Sequence, residues 1–115
     1  LEQIASLGAD GLVVEASMKG YHNDIEAIVD AVGDRLTLFA NIHPVEVIQG
    51  ASDEMLRAEV ARQATAGRRA RGFILGPAHP ITPGTGISRI QAFISTCREL
   101  GRSASQTCLR PKRSK

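Results

Sequence analysis

The sequence contains no tryptophan, only four aromatic residues in 115 (one Tyr and three Phe), two cysteines and no long hydrophobic run. No apolar stretch approaches the roughly 20 residues that a membrane-spanning helix needs, and no signal-peptide pattern opens the chain. Cys97 and Cys108 form neither a Cys-x-x-Cys pair nor a disulfide framework, which fits a reducing compartment. We therefore expect a cytoplasmic protein with no membrane partner.

The charge is unevenly distributed along the chain. The formal net charge is +2, but residues 102–115 carry five basic residues and no acid, which leaves nine basic and twelve acidic residues in the rest. The basic segment has no aromatic residue for base stacking and no nucleic-acid-binding motif. We expect residues 1–101 to form one domain, and residues 102–115 to be a flexible basic tail with no nucleic-acid partner.

The motifs of several common enzyme classes are also missing. The sequence has no Gly-x-Gly-x-x-Gly after a predicted strand, no Walker motif, no His-Glu-x-x-His and no Gly-x-Ser-x-Gly. Cys97 lies on the predicted apolar face of a helix and Cys108 lies in the basic tail, which argues against a cysteine nucleophile. Candidates for chemistry must therefore be sought among other polar residues.

The hydrophobic period alternates between short buried strands and amphipathic helices. Strands are predicted at residues 11–16, 36–42 and 72–76, each of them a compact apolar run. Leu1 to Ala5 match the last turn of a helix, as expected of a fragment. Three further helices are predicted. The first begins at the cap Asn23 and ends at Gly33, the second begins at Ser52 and ends near Gly67, and the last ends before Gly101.

This order of elements predicts an α/β fold with parallel strands joined by helical crossovers. Two architectures fit: a small open α/β layer, and three consecutive β-α units of a (β/α)₈ barrel. A closed barrel normally needs about 250 residues, so the second architecture would be open in a monomer of this chain.

Ligands of parallel α/β sheets bind beyond the carboxyl ends of the strands, which directs attention to Glu15, Asn41, His43 and His79. Each has a structural alternative. Glu15 could bond a neighbouring strand-end amide, and Asn41 could hold a turn through its side chain. His43 and His79 each precede a proline in a loop, where a histidine is commonly solvated. A metal site made by Glu15, His43 and His79 is chemically feasible.

Three segments of the chain stand in a specific order and spacing: residues 7–12 (LGADGL) with Glu15, residues 40–44 (ANIHP), and residues 72–85 (GFILGPAHPITPGT). Together they resemble the LGADGLSVD, G-N-x-D-P and G-H-G-I to P-x-T-P segments of the uroporphyrinogen decarboxylase family. The resemblance covers residues 1–101 and ends where the basic tail begins.

The resemblance implies a (β/α)₈ barrel, with this chain on its last three units. The family includes cofactor-free decarboxylases and zinc-dependent methyltransferases. His79 stands where the decarboxylases have a histidine near the porphyrin and the methyltransferases their final zinc-ligand cysteine. Glu15 stands at the acidic strand-end position of the family, and Asn41 stands at the asparagine of its G-N-x-D-P segment. The chain departs from the pattern at His43, which replaces an acid, and at Arg89, which replaces an asparagine.

Two functional hypotheses follow. In the first, the chain is the C-terminal part or a shortened relative of such a barrel and is not catalytic alone, with His79 as the catalytic residue and Glu15, Asn41 and His43 binding substrate. No cofactor is expected unless a zinc ion binds at His79. In the second, the chain is a self-associating α/β module that binds a small ligand or a metal at the strand ends. Open sheet edges and an apolar barrel-facing surface predict a homodimer or larger homo-oligomer.

Overall fold

The computed structural model describes residues 1–17 and 22–113, with side chains described as far as residue 100. The predicted basic tail, residues 102–115, thus lies outside the residues whose side chains are described. In chain order the elements are α1 (Glu2–Ala5), β1 (Gly11–Val13), α2 (Ile25–Val32), β2 (Thr37–Phe39), a π-helical segment (Pro44–Gln49), α3 (Asp53–Gly67), β3 (Gly72–Ile74) and α4 (Ile87–Arg113).

The three strands form one parallel sheet in the order β1-β2-β3. Leu12 pairs with Leu38, and Leu38 pairs with Phe73, so the strands are in simple register. The sheet is open, with helices between its strands. The predicted α/β class with parallel strands is confirmed, and the architecture is consistent with part of a barrel. Each strand is shorter than its apolar run, because the backbone leaves the sheet ladder before the run ends.

Helix α2 begins one residue later than the sequence predicts. Its N-cap is Asp24, whose carboxylate accepts a hydrogen bond from the Ala27 N–H, so the prediction of Asn23 as the cap is wrong. Asn23 bonds instead to the segment after β1: its side-chain amide donates to the Glu15 carbonyl at 3.2 Å, and its N–H donates to the side-chain oxygen Ser17 Oγ at 2.8 Å. The helix ends at Gly33, as predicted.

The core lies between one face of the sheet and the helices. One cluster joins β1, β2 and α2, and its fully buried members are Ile25, Val32, Leu36 and Leu38. A second cluster, around Ile42, Ile48, Leu56, Val60 and Phe93, packs the π-helical segment against α3 and α4. Burying each such side chain contributes about 1.5–3 kcal/mol, which makes these apolar stripes the main source of stability.

The close approach of α3 to β3 depends on one glycine. A Cβ atom at Gly67 would lie 2.2 Å from Cδ2 of Phe73, far inside any normal contact distance. The missing side chain lets the aromatic ring of Phe73 pack directly on the end of α3. Ser52 caps the other end of this helix by accepting a hydrogen bond from the Met55 N–H at 3.1 Å, as the sequence predicts.

Helix α4 differs from its prediction in two respects. Its backbone continues beyond Gly101, where we predicted its end, to Arg113. The spacing of Ile90, Phe93, Ile94 and Cys97 predicts one apolar face for this helix. Phe93 is buried as predicted, whereas Ile94 is 43% exposed and does not share the buried face. Within the described ranges, no helix combines the length and apolar character needed to cross a bilayer.

The other face of the sheet carries an apolar row. Val13 pairs with Phe39, and Phe39 pairs with Ile74, so the three side chains stand side by side across the strands. They are 67%, 38% and 49% exposed, respectively. Because side chains alternate between the two faces of a strand, their neighbours Leu12, Leu38 and Phe73 pack into the core. The sheet therefore buries one apolar face and exposes another.

Candidate functional site

Asn41 fastens together the ends of two neighbouring strands. Its side chain is almost fully buried, and its Nδ2 donates to the Glu15 carbonyl at 3.0 Å and to the Asn23 carbonyl at 2.8 Å. Both N–H bonds of the amide are therefore used inside the protein. This is the turn-holding role that the sequence left open as an alternative, and it fixes the loop between β1 and α2.

His43 begins the π-helical segment. Its Nδ1 accepts hydrogen bonds from the N–H groups of Val45 and Glu46, both at 3.2 Å, and Pro44 occupies the first position, where no N–H is needed. A ring nitrogen that accepts cannot carry a proton, so the proton of the neutral ring is on Nε2. His43 caps a helix, and only its Nε2–H edge remains to face a ligand.

Glu15 and His79 lie on either side of this arrangement. The Glu15 side chain is exposed at the end of β1, while its carbonyl accepts the two amide bonds described above. His79 is half-buried in the loop after β3. That loop is anchored to the segment after β2 by a hydrogen bond of 2.8 Å from the Ala78 N–H to the Ile42 carbonyl.

The metal site that the sequence left open, made by Glu15, His43 and His79, does not form in the described part of the chain. Among the residues that the structure describes, no three His, Cys, Asp or Glu side chains come together in a way that could hold a metal ion. Glu15, His43 and His79 all belong to the described residues, so the structure does not bring them together as a ligand set. Burial raises the pKa of the Cys97 thiol to about 11, which suits a packed side chain rather than a thiolate ligand.

A cavity of about 170 Å³ lies beside the ends of β1 and β2. Its wall includes Asn41 and His43 together with Glu59 and Gln63 from α3, and His79 is not part of it. Gln63 is only 1% exposed. Its Nε2 donates to Glu59 at 2.9 Å, while its Oε1 is buried without a hydrogen-bond partner in the described part of the chain.

Arg62 is the centre of the charge network in this wall. Its guanidinium donates to Glu59 through Nε and Nη2, at 2.9 and 2.8 Å, and to Asp24 through Nη1 at 3.0 Å. A longer contact of 3.2 Å reaches Glu26. One cation thus holds three carboxylates, and it ties the start of α2 to the middle of α3.

These contacts shift the ionisation of the two inner carboxyls. Burial alone would raise the pKa of Asp24, but hydrogen bonds from Arg62 and from the Ala27 N–H outweigh it and hold that pKa below its ordinary value. Burial would also raise the pKa of Glu59. Hydrogen bonds from Arg62 and Gln63 outweigh burial, so that pKa too lies below its ordinary value. The Glu59 carboxylate raises the pKa of Arg62 in turn. All three groups are charged at neutral pH.

Sequence reasoning missed Gln63 and its partners because no motif marks them. The signal that could have found Gln63 is its spacing: it stands three residues after Val60 and seven after Leu56, on the buried stripe of α3. A polar residue at a core position of a helix needs a hydrogen-bond partner or a ligand.

Arg89 holds the far side of the π-helical segment. Its guanidinium donates to the carbonyls of Ile48 at 2.9 Å, Val47 at 3.3 Å and Ala51 at 2.6 Å, and it also pairs with Asp53. These carbonyls lie at or just after the end of the segment, where backbone acceptors lack partners within the helix. The departure from the family pattern noted at Arg89 thus has a structural role in this chain.

Residues 1–100 match the model of the family described as uroporphyrinogen decarboxylase (URO-D). No curated protein matches the chain. The matched range agrees with the extent of the resemblance, residues 1–101, which the three sequence segments predict.

Proposed function

Since the chain belongs to the uroporphyrinogen decarboxylase family, we propose that it supplies three consecutive β-α units of a (β/α)₈ barrel and acts only within a whole barrel. The observation that carries this proposal is the exposed row of Val13, Phe39 and Ile74. In a closed barrel, the sheet face opposite the helices is the packed interior. The remaining strands of a barrel would cover this row.

Within such a barrel, we propose His79 as the proton donor. Loss of carbon dioxide from a carboxymethyl side chain leaves a carbanion, which must take a proton from a positioned acid. His79 lies in the loop after the carboxyl end of β3, the end at which parallel α/β barrels hold their active sites. Residues 1–101 have twelve acidic and nine basic residues, so the cations that bind a polycarboxylate substrate would come from the rest of the barrel.

The test is complementation with the N-terminal half of a uroporphyrinogen decarboxylase barrel, expressed separately. We expect the two chains to form a 1:1 complex by light scattering and to decarboxylate uroporphyrinogen. Phe39→Asp should abolish the complex, and His79→Ala should preserve it while abolishing decarboxylation. Leu7→Asp is the matched control, because Leu7 is apolar and 79% exposed but lies outside the row.

Decarboxylation by the 115-residue chain alone would refute the need for a whole barrel. A chain that binds no N-terminal half, although it is folded, would refute the barrel proposal itself. Retained activity in His79→Ala would remove only the assignment of the proton donor.

The same exposed row supports a second candidate function, a module that associates with itself. In this case two copies would cover each other's rows, and the edges of β1 and β3, with which no other described strand pairs, would lie near the contact. Light scattering at high micromolar concentration should give a dimer or larger assembly that Phe39→Asp dissociates and Leu7→Asp does not. A monomeric mass with a cooperative melt would refute self-association.

A further inference from the structure

His43 holds the start of the π-helical segment through a ring nitrogen that must stay unprotonated. Its Nδ1 accepts hydrogen bonds from the N–H groups of Val45 and Glu46, both at 3.2 Å. An imidazole nitrogen can accept only while it carries no proton. The usual caps of helices are side-chain oxygens, and a hydroxyl or amide oxygen accepts at any pH. The cap at His43 differs from these because one proton abolishes it.

Histidine is the side chain whose charge ordinarily changes near neutral pH, because an imidazole gains its second proton between about pH 5 and 8. On His43 this proton would be on Nδ1, since Nε2 already carries the first. It would lie directly opposite the two N–H groups that point at Nδ1. Both donors would lose their acceptor, and three N–H groups would face one another. The capped segment and the protonated ring therefore exclude each other.

The far end of the segment is held by contacts that do not titrate in this range. Arg89 donates to the carbonyls of Val47 and Ile48, and Ile48 is fully buried in the second core cluster. An arginine side chain keeps its charge at every pH at which proteins are folded. Loss of the cap is therefore confined to the first turn, Val45 and Glu46. Both residues are exposed, so they can move without rearranging the core.

The first turn belongs to the wall of the cavity beside the ends of β1 and β2, among charged and titratable groups from several elements. These groups are His22 and Asp24 from the loop after β1, Glu46 from the segment itself, Glu59 and Arg62 from α3 and, on the far side of the segment, Arg89 from α4 paired with Asp53. Asp24 and Glu59 are committed to Arg62. Carboxylic acids ordinarily titrate below about pH 5, and His79 is not part of the wall. Between about pH 7.5 and 5.5, the groups of the wall that change charge are therefore its two histidines.

We propose that His43 is a pH-sensitive latch: its neutral ring closes the first turn of the π-helical segment, and protonation of the ring opens that turn. Opening displaces Glu46, which is part of the cavity wall, and so changes the shape and charge of the cavity. Ligands of parallel α/β folds bind at this edge of the sheet, so binding there becomes dependent on pH. The latch is formed within this chain and does not rest on the decarboxylation proposed above.

The experiment is NMR of the isotope-labelled full chain between about pH 7.5 and 5.5. The ring nitrogens of His43 report its protonation, and we expect the neutral ring to carry its proton on Nε2. Exchange of the Val45 and Glu46 amide protons with water, corrected for the intrinsic effect of pH on exchange, reports the cap. As the ring gains its second proton, protection of these two amides should fall about fivefold or more, the effect of losing a cap. The Ile48 amide, which donates to the His43 carbonyl, should keep its protection.

Two substitutions separate the latch from other effects of pH. His43→Asn is the matched variant, because an amide oxygen caps the same N–H groups and does not titrate. In this variant the protection of Val45 and Glu46 should change by less than about twofold over the same range. His22→Gln removes the other histidine of the cavity wall and should leave the response of the wild type unchanged.

Several results would overturn the proposal. A response of the same size in His43→Asn would show that another group opens the turn, and loss of the response in His22→Gln would assign it to His22. A neutral His43 ring with its proton on Nδ1 would contradict the cap. Protection that persists after the ring has gained its second proton would show that cap and proton coexist. If His43→Asn did not fold, the wild-type titration would still decide, because it follows the ring and the two amides in the same molecule.

Discussion

The side-chain amide of Asn41 donates a hydrogen bond of 3.0 Å to the backbone carbonyl of Glu15, and this bond joins the loops that follow β2 and β1. A second bond of 2.8 Å reaches the carbonyl of Asn23, just before α2. One buried side chain thus sets the positions of two strand ends and of the segment that leads into α2. The geometry of any ligand site at this edge of the sheet depends on it.

We expect Asn41→Ala to lower the free energy of unfolding by about 1–3 kcal/mol, because it removes both hydrogen bonds of a buried amide and leaves two part-buried backbone acceptors with fewer donors. Urea denaturation measures the loss. Gln91→Ala is the control: Gln91 is exposed on α4, and truncating a surface side chain should change stability by no more than about 0.5 kcal/mol. Equal effects of the two substitutions would show that the Asn41 bonds do not hold the strand ends.

The Arg62 network predicts a dependence of stability on pH. The pKa values of Glu59 and Asp24 in the folded protein lie below their ordinary values of 4.5 and 3.8. A lowered folded pKa means that the unfolded chain binds protons first, so the stabilisation is complete above about pH 5 and is lost as the pH falls through the folded values. Arg62→Gln should therefore destabilise the protein at pH 7 and have a smaller effect near pH 3, where protonation of the two carboxyls has begun to remove the stabilisation.

Urea denaturation of wild type and Arg62→Gln at both pH values measures this difference, which we expect to be about 1–3 kcal/mol at pH 7. Arg57→Gln provides the comparison, because Arg57 forms a single exposed pair with Glu99. Removing an exposed pair should cost less than about 1 kcal/mol. A pH-independent effect of Arg62→Gln would contradict the role of the two carboxylates.

Much of the fold was predictable from the sequence because apolar spacing decides which surfaces are buried. The stripe of Ile25, Ile28, Val29 and Val32 predicts the inward face of α2 and is buried as expected. The cap at Asp24 was not predictable, because Asn23 and Asp24 have equal capping chemistry. What separates them is that Asn23 bonds to the Glu15 carbonyl, a contact between segments distant in sequence.

The candidate site was less predictable than the fold. The end of each parallel strand could be located from the sequence, which selected Asn41 and His43 as candidates. Both residues line the cavity in the structure. The sequence does not show which hydrogen bonds a side chain makes. His43 Nδ1 accepts from two N–H groups of the π-helical segment, an element that no spacing pattern indicates. Gln63 approaches the cavity from the middle of α3, so its role appears only when helix and sheet are packed together.

The contact of Gly67 with Phe73 predicts a stability effect that depends on one methyl group. Gly67→Ala would place a Cβ atom 2.2 Å from the Phe73 ring, and overpacking of this kind costs about 1–3 kcal/mol. Adding Phe73→Leu should recover part of the loss because the smaller side chain leaves room for the methyl group. Gly76→Ala is the matched control, since no atom lies within 4 Å of its Cβ position. Thermal unfolding of the four proteins should therefore give a lowered Tm only for Gly67→Ala and, less so, the double variant.

The guanidinium of Arg89 predicts that lysine cannot replace arginine at this position. Arg89 serves the carbonyls of Ile48, Val47 and Ala51 at the same time, and the single nitrogen of lysine cannot reproduce that planar set of donors. Arg89→Lys should lower the free energy of unfolding by about 1–2 kcal/mol, measured by urea denaturation, and should increase amide hydrogen exchange at the end of the π-helical segment. Arg71→Lys changes an exposed arginine with one carbonyl contact, to Arg35, and should have little effect. Unchanged exchange in Arg89→Lys would show that the segment is held by its apolar contacts with α3 and α4 rather than by this side chain.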